Sequence, residues 1–336
     1  MQKNDVMKNW ILISIIFCLL GCTTDDISPV DDTVHLAGFV DNGSGSSLGS
    51  YWKDSVYTAL SDPGSSSRVS SLYVDGSTVF IGGAKWGASG HHQSVIWRNG
   101  TATIAEGVFG EPMVGSNNNS LFGVWTSDKG LGWLVHKNGT SQPLIDTAYS
   151  FGPMAMSRLG DDIYIAGSSS GPGMPPTYSP PQHAQYWENE QLMFRESEVS
   201  NALSVFPHKN GIYMAGHLYT PQVVSSTACY WKNGERVDLT DGNGTAVARS
   251  IFITDRHVYA AGMINGQAVY WKDGVVTALT TTGTNSMAHA IFVQGEDVHV
   301  GGYQDGHPAY WKNNVRKNIA NQDKLGEILF LVVGSN

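Results

Sequence analysis

Beyond residue 33, apolar and polar positions alternate with a period of two in runs of four to seven residues, and Gly, Asn and Asp separate the runs. The stretch from Ser250 shows the pattern most clearly: "SIFI", "HVYAAG", "AVYWK" and "VVTALT", each closed by turn residues. β-branched and aromatic residues at this spacing predict half-buried strands. No sustained apolar period near 3.6 accompanies them, so helices are not expected and the chain reads as all-β.

The same four-run unit recurs. Trp52, Trp97, Trp187, Trp231, Trp271 and Trp311 each follow Tyr or Ile and precede a polar turn such as "KNG" or "KDG", and His136 in "LVHKNG" fills the missing place. The intervals are 45, 39, 51, 44, 40 and 40 residues. A second series, "VHLAG", "VFIGG", "LFGVW", "IYIAG", "IYMAG", "VYAAG" and "VHVGG", alternates with the first without a gap. Four strands in a unit of this length predict a propeller blade, and seven units predict a seven-bladed β-propeller.

The ends predict how the ring closes. The first unit has no inner strand, whereas the last is followed by an orphan apolar run, "EILFLVV" at Glu327 to Val333. Pairing that run with Val34 to Phe39 makes a blade from both termini and removes the free edges of an open sheet. Inner strands are then expected from near Val69, Glu111, Pro153, Ala202, Ala248, Ala288 and Gly326. A large aromatic recurring before every tight turn is expected to pack between sheets rather than to hold a ligand.

The repeated "A-x-Y-W-K-N-G-x-x-T-x-L", a Gly/Thr linker and "A-x-x-I" resemble the HAF family of extracellular repeats. The resemblance is close over Ala228 to Ile319 and looser over Thr33 to Glu196. The strand order is also similar to that of kelch repeats, without the kelch Tyr-to-Trp spacing. The resemblance implies export and a repeat scaffold, and no single activity.

The N-terminus points to the same compartment. Lys3 and Lys8 precede an apolar stretch from Trp10 to Leu20 that is too short to span a bilayer, and "LLGC" at Leu19 to Cys22 resembles the lipobox of bacterial lipoprotein signal peptides. This resemblance implies a signal peptide over residues 1–21, a lipid (palmitate-bearing) anchor on Cys22, a polar tether over 22–32 and a folded body over 33–336. The acidic pair behind Cys22 resembles a surface-export signal. The expected address is the outer membrane, facing the cell surface, with a monomer held there by lipid.

Charge and cysteine content narrow the partners. The net charge is −9, and removing Lys3, Lys8 and Asp5 with the signal leaves 18 basic and 28 acidic residues, net −10. That balance argues against nucleic acid and against an anionic membrane surface. Cys229 would be the one free thiol; it occupies the slot of Val269 in the next unit and is expected to be a small buried hydrophobe.

Candidate chemistry lies where the repeat stops repeating. Loops between second and third strands gather on one face of a propeller and vary freely on its scaffold. Those loops carry Trp86, His91, His92, Trp125, Tyr178, Tyr219, Tyr303 and His307. Rings beside amides and hydroxyls suit a glycan or a protein interface; they suit equally the pinning of their own long loops. "GPGMPPTYSPPQH" is the longest interruption, stiffened by prolines into an expected flap over this rim.

A second candidate is the channel mouth. Aligned inner strands place Ser70, Pro112, Met154, Leu203, Arg249, His289 and Glu327 at one level, and the last three stand on consecutive blades. They could bind an anionic or hydroxyl-rich group, or form an ion pair in solvent. No H-x-E, H-E-x-x-H or C-x-x-C spacing occurs, so no catalytic residue, metal or cofactor is assigned. The expected function is a binding or scaffold module for an extracellular glycan or envelope protein. The alternative is a glycan-degrading hydrolase or lyase at the mouth, where glycosidases need paired carboxylates.

Overall fold

A computed structural model describes residues 32–63, 65–86, 92–105, 108–117, 120–127, 133–137, 140–143, 150–170, 182–220 and 224–335. The strands form seven four-stranded antiparallel sheets, one per repeat, and no helix occurs among the described residues. The sheets are the blades of a propeller. Their inner strands are Ser66–Asp75, Val108–Asn117, Ser150–Leu159, Ser200–His208, Ala246–Ile253, Ser286–Gln294 and Gly326–Ser335, in blades 1 to 7. Six of them begin two or three residues earlier than expected, because the residues ahead of each expected start already pair with the second strand.

Blade 7 is stitched from the two ends. Strand Gly326–Ser335 pairs antiparallel with Asp32–Asp41, from Asp32 opposite Ser335 to Val40 opposite Gly326. Leu36, Val40, Ile328, Leu331 and Val333 close one hydrophobic cluster across this seam with Trp52 and Ile319. The expected pairing of residues 328–333 with 34–39 is observed.

Each element of the repeat has a physical cause. The Asn or Asp of the "KNG" turn adopts a left-handed backbone, with φ of 48° at Asn99, 51° at Asn233 and 50° at Asp273. Asn and Asp tolerate this conformation better than other residues with a side chain, and it matches the twist of a two-residue hairpin. The same side chain caps the neighbouring strand: Asn99 Oδ1 accepts from Val79 N at 2.8 Å, Asn233 Oδ1 from Ile212 N at 2.8 Å and Asp273 Oδ1 from Val258 N at 2.9 Å.

The recurring tryptophans pack between blades. Trp52, Trp97, Trp231, Trp271 and Trp311 are fully buried. Trp52 Nε1 donates to the Ala320 carbonyl at 2.8 Å, Trp97 Nε1 to the Leu60 carbonyl at 2.6 Å and Trp231 Nε1 to Glu196 Oε2 at 2.8 Å. In each case the acceptor lies in the connection arriving from the preceding blade. His136 stands in register with these tryptophans, opposite Gly123 as Trp271 is opposite Ala260, and burial lowers its pKa. Cys229 is buried opposite Gly216, as Val269 is opposite Gly262, and burial pushes its thiol pKa well up.

Around the axis, serine hydroxyls tie one inner strand to the next. Ser71 Oγ accepts from Val114 N at 3.0 Å, Ser204 Oγ from Ile251 N at 3.3 Å and Ser250 Oγ from Ile291 N at 3.2 Å. The seven inner strands enclose a cavity of about 700 Å³. Phe206, Phe252 and Phe292 pack in a tilted row across three successive inner strands, with centroids 4.9 and 4.6 Å apart.

Candidate functional site at the channel mouth

The second motif series ends in glycine for a reason that lies in the inner strand. A Cβ on Gly262 would overlap the Val247 carbonyl oxygen, one on Gly302 that of Met287, one on Gly216 that of Asn201 and one on Gly38 that of Glu327. Only glycine admits so close a backbone, and beside that approach the inner strand carries one extra residue, a β-bulge. The unpaired residues are Ser70, Met154, Leu203, Arg249, His289 and Leu329, each flanked by a register shift. In blade 2 the shift is wider, and residues 110–112, Pro112 included, lie between paired Phe109 and Met113. The six single-residue bulges line the central cavity, close to the end of the channel where the second-to-third strand loops emerge.

One expected placement needs correction. Glu327 is not level with Arg249 and His289: the bulge of blade 7 falls at Leu329, and Glu327 pairs with Phe39 two residues nearer the rim. The glycine marking this bulge is Gly38, supplied by the other end of the chain, so the inner strand of blade 7 carries no such mark in its own repeat.

Glu327 nevertheless meets its expected neighbour. Its Oε2 lies 3.0 Å from His289 Nε2, off the direction of the ring N–H, so the contact is an electrostatic approach rather than an aligned hydrogen bond. The His289 side chain is only 7% exposed, and neither ring nitrogen has a hydrogen-bond partner among the described residues. Burial lowers the His289 pKa, with Glu327 opposing and Arg249 reinforcing the shift, so the imidazole is neutral at pH 7.

Arg249 is largely withdrawn from water; burial lowers its pKa and Glu327 and Tyr303 act against that shift. Tyr303 tilts its ring against His289 at 5.7 Å, and burial with the nearby Glu327 charge raises its pKa. His217 joins from blade 4. Burial, followed by the Arg249 charge, lowers its pKa, and Asn201 Nδ2 stands 3.5 Å from its Nε2. Neither His217 nor Asn201 stood among the site residues expected from the sequence. Their signal was the pair of positions immediately ahead of the bulge in blade 4, where Asn201 sits opposite His217.

Of the remaining rim residues, Trp86, Tyr219 and His307 have described surroundings. Trp86 packs under the Arg68 guanidinium at 5.6 Å, and Arg68 approaches Glu111 at 3.9 Å. Tyr219 is 39% exposed on blade 4. His307 Nδ1 lies 3.1 Å from the Lys324 carbonyl, against the connection into blade 7. His92 and Trp125 lie on strands opposite Trp86 and Leu134, and only those positions are described. His91, Tyr178 and Cys22 lie outside the described residues. Among the described residues no group of three or more His, Cys, Asp or Glu side chains is placed to hold a metal ion.

Among the described residues the geometry gives a recessed polar mouth in which Arg249, His289, His217, Tyr303 and Glu327 gather above a cavity that Glu111 also lines. No family model matches the sequence, and no curated protein matches it. Among solved structures, a puromycin-hydrolyzing peptidase of Mycobacterium tuberculosis superposes with a TM-score of 0.52 at 10% identity, over 75% of this chain and 46% of that one. An acylaminoacyl peptidase of Pyrococcus horikoshii (TM-score 0.48, 11% identity, 75% and 46% covered) and a Trypanosoma rangeli sialidase (0.41, 8%, 86% and 49%) are more distant. The chain spans about half the length of these proteins, and at such identities the likeness concerns the propeller fold alone.

Proposed function

We propose that the chain is a lipid-anchored propeller of the outer membrane, working as a binding or scaffold module whose rim and channel mouth meet an extracellular glycan or an envelope protein. The observation that carries this reading is the placement of the termini. Asp32 and Ser335 pair at the end of blade 7 opposite the rim, whereas Val40 and Gly326 pair at the rim end. With lipid on Cys22, the tether of residues 22–32 would join the far face and turn the mouth away from the membrane. The HAF-like repeat and the lipobox support export. Of the carboxylates about the cavity among the described residues, Glu327 stands beside His289 and Glu111 approaches Arg68, partners that suit recognition.

The test is binding by the purified full-length chain in detergent, on glycan arrays and in pull-downs from envelope extracts. Tyr303→Ala is expected to weaken capture at least tenfold, and Cys22→Ala to abolish palmitate labelling in cells. Capture unchanged by Tyr303→Ala, or a labelled Cys22→Ala chain, would contradict the corresponding half of the proposal.

A further inference from the structure

Arg249 differs from three arginines placed elsewhere on the blades. Arg68, Arg158 and Arg236 each approach a carboxylate, at 3.9, 3.7 and 2.8 Å. The Arg249 guanidinium lines the central cavity, and no hydrogen bond or ion pair to it occurs among the described residues; Glu327 and Tyr303 reach it only through space. A partly buried guanidinium that faces the cavity without a bonded acceptor is half of a bidentate pair, whose natural complement is a planar oxyanion.

Its neighbours define what the oxyanion belongs to. His289 on the next bulge holds its Nε2 3.0 Å from Glu327 Oε2, so a hydroxyl group at the mouth would meet a His289–Glu327 pair that can both donate and accept. The Tyr303 ring stands against it and offers an apolar face. Glu327 adds a negative charge nearby, which admits a singly charged carboxylate and opposes a doubly charged phosphate.

We infer that the channel mouth takes an acidic sugar residue, its carboxylate forked onto Arg249 and its hydroxyls served by His289 beside the Tyr303 ring. This rests on the glycan branch of the proposed function and names the substrate class of that site. Recognition is then local, against the overall negative charge of the chain, and so depends on this single guanidinium.

The experiment is calorimetric titration of the full-length chain in detergent with a uronic-acid oligosaccharide, its methyl ester of the same length, and a sulfated neutral oligosaccharide. The acid is expected to bind at least tenfold more tightly than the ester. Arg249→Met should remove that preference while unfolding at the same or a higher temperature without ligand, because it deletes a charge without a bonded acceptor, and Arg249→Lys should retain only part of it. Glu327→Gln should tighten acid binding severalfold by relieving repulsion.

Equal affinities for acid and ester, or an Arg249→Met chain that still prefers the acid, would overturn the inference. So would a sulfated ligand that binds as well as the acid. Neutral glycans bound through Tyr303 and indifferent to Arg249 would overturn it while leaving the rim reading standing. Failure of every saccharide would overturn it too, and the rim reading would then rest on protein capture alone.

Discussion

At Gly302 the missing Cβ lets the Met287 carbonyl approach, and that approach is what sets His289 free of the ladder. Gly302→Ala should therefore cost about 1–3 kcal/mol, the range for strain forced on a backbone position. Urea unfolding would measure it; a loss under about 0.5 kcal/mol, the scale of an indifferent surface substitution, would contradict the role assigned to the glycine. The histidines give a second residue-scale expectation. Burial holds His289 and His217 below their ordinary pKa of 6.5, so in that range the unfolded chain binds more protons than the folded one. The stability they confer is complete above pH 6.5 and falls as the pH drops from 6.5 towards their folded values. Unfolding temperatures taken between pH 7.5 and 5 should decline, and His289→Gln with His217→Gln should flatten the decline. His35 and His136, lowered in the same way by burial, leave a residual slope. An unchanged slope in the double variant would show that the two imidazoles are not held neutral.

Individual elements were legible in the sequence to the extent that their causes are local. The "KNG" turn carries its left-handed Asn and its strand cap within one hairpin, so strands two to four of each blade were readable from one unit. The tryptophan series was readable as core for a related reason: the ring recurs at one place in the unit, and at Trp52, Trp97 and Trp231 its hydrogen-bond acceptor lies in the connection from the preceding blade. Trp97→Ala should cost about 3–5 kcal/mol through the cavity left between blades and the unmade bond to Leu60. Thermal unfolding checks this, and a cost below about 1 kcal/mol would make the ring a surface feature instead. The inner strands were less legible. Their phase depends on a bulge that is marked by a glycine in a different strand, and in blade 7 that glycine is contributed by the opposite terminus, so Glu327 was placed level with His289 when Leu329 holds that place. Asn201 and His217 escaped notice because their significance comes from Arg249 on the adjoining blade, a neighbour no linear spacing indicates.

On the scale of the molecule, seven near-equivalent sheets provide seven inner strands whose bulges face one axis, and the side chains at those bulges set the chemistry of the mouth. Serine, methionine and leucine occupy blades 1, 3, 4 and 7, so polarity gathers where blades 5 and 6 contribute Arg249 and His289. The seam in blade 7 places Asp32 and Ser335 together at the end of the blade opposite the rim. The account therefore assigns one end of the propeller to recognition and the other to attachment. Amide hydrogen exchange of the full-length chain, with and without a captured glycan or envelope partner, tests this most directly. The account predicts slowed exchange at the rim ends of the inner strands, around residues 247–250, 286–290 and 326–329, with the outermost strands and the far face unchanged. Protection confined to the outer strands or to the far face around Asp32 and Ser335 would contradict it.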